Sequence, residues 1–230
     1  MLGEEYDIRQ GHHPMLLTAS KRSDPFSFQS SQDDHFIVVT GANMSGKTTY
    51  IKGIAILQIL AQIGAPLPAE RAKVRLVSRI CTRLGSDDDL ESNASTFTVE
   101  LREACYILSS LDADSLVLID ELGRGTSTIC GLALTTAICE RLARSRATVL
   151  FVTHFAKLVS YLNTFPTAKQ VTLSASSECA HNAAEGPQRL AHSGVELLRK
   201  LSFPSSVSER AAAMLKIVHP ISHRLNQAVG

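Results

Sequence analysis

The sequence predicts an α/β fold with a mostly parallel sheet flanked by helices. Three observations carry that expectation. Residues 36–40 (FIVVT), 115–120 (SLVLID) and 148–153 (TVLFVT) are short, continuous apolar runs, as expected of strands buried on both faces. Between them lie longer segments whose apolar residues recur at helical spacing. Strands alternating with helices imply parallel neighbours joined by right-handed crossovers.

The elements follow in order. Residues 1–35 are polar and weakly patterned. FIVVT lies between the acidic QDD and Gly41 and reads as a buried strand. After GANMSGKTT the period changes. Ile51, Ile54, Ala55, Gln58, Ile59 and Gln62 mark a helix that ends at Gly64, with Pro66 beyond. Residues 74–84 read as one or two strands, and the polar GSDDDLESNAST follows. A helix over 97–111 places Leu101, Ala104, Cys105, Leu108 and Leu111 on one side. SLVLID is the second strand, 127–145 a helix, and TVLFVT the third strand, ending at His154. Residues 163–192 are rich in Ser, Ala, Asn, Gly and Pro and read as a linker, with one possible strand at 170–173. Helical pattern returns at 195–201 and 205–218 on either side of Phe203-Pro204, a helix-turn-helix. The expected division is therefore a domain over 1–162, a linker or abbreviated strand segment over 163–192, and a helical element over 193–230.

Composition narrows the class. In 230 residues, 44% are hydrophobic and 20% charged, an ordinary globular balance. Lys+Arg is 23 and Asp+Glu 22, so net charge gives no nucleic-acid signature. The five Cys form no CxxC pair, which argues against a zinc ribbon and suits a reducing compartment. The apolar stretch 51–66 contains Lys52 and Gln58 and is too short to span a bilayer, so no membrane partner is expected.

The chemistry lies in Gly41-Ala42-Asn43-Met44-Ser45-Gly46-Lys47-Thr48, a complete G-x-x-x-x-G-K-[ST], with Thr49 next. It follows a strand and opens a helix, as a phosphate-binding loop requires. The glycines let the backbone wrap so that successive N–H groups face phosphate oxygens. The helix N-terminus adds partial positive charge. Lys47 reaches the β- and γ-phosphates, and the Thr48 hydroxyl can bind Mg²⁺. The bland alternative is a Gly-rich turn with a solvated lysine.

SLVLID ends in Asp120-Glu121. At the carboxyl edge of a parallel strand these carboxylates fall beside the loop. Asp120 is placed to hold Mg²⁺, and Glu121 to orient or deprotonate a water attacking the γ-phosphate. The alternative is a pair that merely caps the next turn. His154 can hydrogen-bond the γ-phosphate or that water, or be an ordinary strand-end histidine. Gly123-Arg124-Gly125 reads as a flexible turn. Asp87-Asp88-Asp89 and His12-His13 are better read as solvated or structural than as metal ligands.

Four ordered blocks, GANMSGKTTYIKGIAILQILAQIGAPLPAE, STF at 95–97, DELGRGTST at 120–128 and THF at 153–155, resemble the ATPase domain of MutS proteins. The resemblance runs over roughly 8–162 and resumes, more weakly, at 192–213. DDDLESNASTF and NMSGKTTYIK most resemble the fourth, meiotic, branch of eukaryotic MutS homologues. The resemblance implies a P-loop NTPase of the ABC/MutS type with ATP and Mg²⁺ as cofactors. It implies two such domains sandwiching nucleotide, with Ser95 reaching the partner's γ-phosphate; read alone, Ser95 is a helix N-cap. It further implies a C-terminal helix-turn-helix that aids dimerisation, an adenine-stacking Phe26, and a partner that is a second copy or another MutS homologue, the fifth. Mismatched or branched DNA, crossover promotion or mismatch repair, and a nuclear setting follow from the same source. Ala42 stands where the family usually has Pro. The chain starts close to the ATPase domain, so the expectation is a fragment, a truncated product, or a chain that borrows DNA contact from a partner.

The rival expectation is an ATP-gated interaction module, or a fragment without independent activity, that binds nucleotide and does not hydrolyse it. A transporter subunit would show an LSGGQ-type helix start where this chain has NASTF.

Overall fold

The computed structural model describes residues 2–18, 24–42, 45–85, 96–173 and 203–214. Its centre is a five-stranded parallel sheet. The strands are β4 (Phe36–Gly41), β6 (Arg79–Arg83), β7 (Ser115–Asp120), β8 (Thr148–Val152) and β9 (Ala168–Leu173). Their order is β6-β7-β8-β4-β9, and every pairing is parallel. Strand β8 thus separates β4 from β7. Register aligns Val39 with Val152, and Asp120 with Val152, so the carboxyl ends of β4, β7 and β8 share one edge.

Alternation along each strand explains the two apolar layers. Phe36, Val38, Val117, Ile119, Val149 and Phe151 face one way, into a core with α3 (Thr96–Ser110), α4 (Thr128–Ala143) and α5 (Ala156–Leu162). Ile37, Val39, Leu116, Leu118, Leu150 and Val152 face the other way, onto α2 (Lys47–Gln62) and a second sheet. Because both faces are covered, the central strands are apolar throughout.

The helices end where local chemistry stops them. The Ser127 hydroxyl accepts the Cys130 N–H and starts α4. Gly64, with φ +77°, follows the end of α2, and the Ala65 N–H returns to the Leu60 carbonyl at 2.9 Å.

Two weakly patterned stretches gain definition in the structure. The first is residues 1–35. They hold β1 (Leu2–Gly3), β2 (Tyr6–Gly11), α1 (Pro14–Thr18) and β3 (Phe26–Ser30). With β5 (Arg71–Arg75) these strands form a four-stranded sheet in the order β1-β5-β2-β3. The reason is non-local: β2 is completed by β5, which arrives after β4 and α2. The second is the start of 163–192, read as a linker or abbreviated strand segment with one possible strand at 170–173. Residues 168–173 form β9, paired with β4 from Phe36–Ala168 to Gly41–Leu173. The rest of that segment, and the helix expected at 195–201, lie outside the described residues.

Residues 205–214 are helical and are labelled α6. Phe203, Val207 and Ala211 join the core beside α4 and α5. Glu140 of α4, with a side chain 6% exposed, anchors this helix. Arg210 donates to it through both Nε (2.9 Å) and Nη2 (2.7 Å), and the Tyr161 hydroxyl donates at 2.5 Å. Burial pushes the Glu140 carboxyl up, but these hydrogen bonds outweigh it and hold its pKa below the ordinary glutamate range. A depressed carboxylate pKa stabilises the fold at neutral pH, and that contribution is lost as pH falls through the lowered value. Arg210→Ala is expected to cost about 2 kcal/mol at pH 7, since it strips a charged donor from a buried acceptor. Denaturant unfolding should show the deficit shrinking in acid. No helix of the described residues is long and apolar enough to cross a membrane.

Candidate functional site

The loop between β4 and α2 turns sharply at its two glycines. Gly41 has φ +150° and Gly46 φ +83°. A Cβ at Gly41 would sit 2.4 Å from the Leu173 carbonyl oxygen, so the approach of β9 also demands glycine there. Lys47 opens α2 and is buried. Its ammonium returns to the loop, donating to the carbonyls of Gly41 (3.1 Å) and Ala42 (2.7 Å). Asn43 and Met44 lie outside the described residues.

One residue on, the Thr48 hydroxyl donates to Asp120 Oδ2 at 2.5 Å. Asp120 ends β7, is buried, and reaches across the end of β8 to make this contact. The two oxygens are hard donors, suited to a divalent ion held by one or two protein oxygens and by phosphate. Among the described residues no three His, Cys, Asp or Glu side chains cluster as a metal cage.

Glu121 follows with φ +55°, an unfavourable conformation for a non-glycine residue. Its N–H bonds the Val152 carbonyl at 3.1 Å, which ties the turn to β8. Its side chain is 17% exposed and stands between two bases. Arg124 Nη1 meets Oε2 at 2.5 Å, and His154 Nδ1 lies 3.6 Å from Oε1. The His154 ring packs against Phe155, centroids 4.8 Å apart.

A cavity of about 520 Å³ is lined by Gly46, Lys47, Thr48, Thr49, Asp120, Glu121 and Arg124. The structure therefore gathers an amine, two hydroxyls, two carboxylates and a guanidinium around one opening, with His154 in contact through Glu121. Ser95 lies outside the described residues. Phe26 starts β3, and its ring meets Tyr50 of α2 edge-on, centroids 5.5 Å apart at 80°.

Arg124 is the cavity residue that sequence reading passed over as part of a turn. Arg83 and Glu100, which support this segment, were also missed. Their signal is a charge at an apolar position: Glu100 stands three residues after Phe97 and four before Ala104, on the buried face of α3.

Comparison with known proteins adds a family. The family described as MutS domain V matches residues 37–219. MutS protein homolog 4 of Homo sapiens is 46% identical over 153 residues, which is 66% of this chain and 16% of that protein. The DNA mismatch repair protein MutS of Thermus aquaticus is 36% identical over 219 residues, 93% of this chain and 26% of that protein. A counterpart from Thermus thermophilus is 38% identical over the same length and shares. The chain thus spans between 16% and 26% of these relatives.

Proposed function

The chain belongs to the MutS family through domain V, and on that premise we propose that it binds ATP with Mg²⁺ and hydrolyses it by water attack on the γ-phosphate. The observation that carries the reading is the 2.5 Å contact between Thr48 and Asp120 beside the lysine-bearing loop, with Glu121 at the same rim.

Each residue then has a role within a P-loop NTPase of the ABC type. Backbone N–H groups of 41–49 and the start of α2 cradle phosphate oxygens. Lys47 neutralises the β- and γ-phosphates. Thr48 and Asp120 would hold Mg²⁺, which when bound supplies charge stabilisation at the phosphates. Glu121 accepts a proton from, or orients, the attacking water, and its tie to β8 fixes where it points. His154 orients the same water or the γ-phosphate. Catalysis here is positioning and electrostatics, as phosphoryl transfer generally requires. Phe26 stacks on adenine.

In the whole protein a second MutS ATPase domain, from the same or another homologue such as the fifth, completes the site through Ser95. The substrate of that assembly is DNA, mismatched or branched, and its setting is meiotic recombination or mismatch repair in a nucleus. The name of the Thermus relative, a DNA mismatch repair protein, supports the DNA mismatch-repair part of this reading; the partner, the branched DNA, the meiotic role and the nuclear setting rest on the sequence resemblance.

Calorimetric titration of ATP tests the binding half. Saturable binding strengthened by Mg²⁺ is expected, with Asp120→Asn losing the Mg²⁺ enhancement and keeping affinity in chelator. Wild-type affinity that ignores Mg²⁺ would count against the Thr48–Asp120 assignment.

A further inference from the structure

Arg83 and Glu100 form an ion pair that none of the roles above uses. Arg83 closes β6, and Glu100 lies in the first turns of α3. Their side chains are 7% and 6% exposed and meet at 2.9 Å. Each also grips the backbone that carries Glu121. Arg83 Nη1 donates to the Asp120 carbonyl at 3.0 Å. Glu100 Oε2 accepts the Gly123 N–H at 3.1 Å, and the Gly125 N–H bonds the same carboxylate. One salt bridge thus holds both ends of the segment 120–125.

Packing reinforces the link. A Cβ at Gly125 would sit 2.8 Å from the backbone N and Cα of Phe97, so this segment lies directly on the first turn of α3. A buried ion pair is a weak source of net stability, because desolvation offsets most of the attraction. Its directional bonds are more valuable as a rigid spacer between elements. Here the spacer joins α3, which starts one residue after Ser95, to the turn that aims Glu121.

We infer that Arg83 and Glu100 are a positioning pair that sets the Glu121–Gly125 segment against the first turn of α3. A shift of that turn passes through Glu100 to the Gly123 amide, and so to the carboxylate facing the cavity. The catalytic consequence rests on the ATPase reading; the positioning itself does not.

The test uses the full chain with Glu100→Gln, which keeps shape and loses charge, and Arg83→Lys, which keeps charge and loses the fork. Both variants are expected to bind ATP as the wild type does. Their single-turnover hydrolysis should fall roughly 10- to 100-fold, the usual cost of a misplaced group. Amide exchange at Gly123 and Gly125 should accelerate, while the Tyr50 amide, bonded to Gly46 at 2.8 Å, keeps its protection. Wild-type turnover in natively folded variants overturns the inference. A parallel loss of affinity and rate overturns it too, since general damage to the fold moves both. If the wild type binds ATP and releases no phosphate, the hydrolase reading falls instead. Exchange at Gly123 then decides the positioning alone, and unchanged protection refutes it.

Discussion

Glu121→Gln is expected to leave ATP bound and to slow its hydrolysis by roughly 100- to 10,000-fold, the usual contribution of a positioned general base. The substitution keeps the side-chain shape and removes the charge that accepts or steers a proton. The loop that binds phosphate is untouched, since the Lys47 and Thr48 contacts do not involve Glu121. Backbone strain remains, because φ +55° is imposed by the turn and by the N–H bond to Val152. Arg124 and His154 lose their anionic partner, so both side chains gain freedom. Phosphate release checks the rate and calorimetry the affinity; a loss of both would move Glu121 from the chemistry to the binding of nucleotide.

Lys47→Ala is expected to remove nucleotide binding itself. A charge-assisted hydrogen bond contributes about 1.5–3 kcal/mol, and the lysine faces more than one phosphate oxygen, so affinity should drop by roughly 100-fold or more. Lys47 is also the donor to the Gly41 and Ala42 carbonyls. The variant therefore tests two functions of one amine, loop shape and phosphate charge. Lys47→Arg separates them: it retains the charge, while its larger planar head fits the loop poorly. Tight ATP binding by Lys47→Ala in isothermal titration would remove the loop from the nucleotide site.

The legible part of this molecule was its most local part. FIVVT, SLVLID and TVLFVT are strands because continuous apolar runs suit a sheet covered on both sides. The glycine-lysine loop and Asp120-Glu121 were legible because their chemistry restricts residue type at each position. The insertion of β8 between β4 and β7 was not, because strand order depends on pairings between distant segments. The sheet built from β1, β5, β2 and β3 was hidden for the same reason. In β2, Tyr6 and Ile8 are buried while Arg9 and Gln10 are exposed, too short an alternation to stand out. Strand β9, AKQVTL, is a half-exposed edge, and its polar residues left only 170–173 legible as a possible strand. Arg83 and Glu100 break the rule that charges face water, and such exceptions acquire meaning only when their partners are known. Ser95, Asn43, Met44 and the first C-terminal helix fall outside the described residues, so their roles stand on family resemblance.

The most direct measurement is single-turnover release of γ-phosphate from ATP and Mg²⁺ by the purified chain, run beside Glu121→Gln at equal nucleotide occupancy. A hydrolytic site built on Glu121 predicts release by the wild-type chain and near-complete loss in the variant. Release that is the same in both proteins would contradict it.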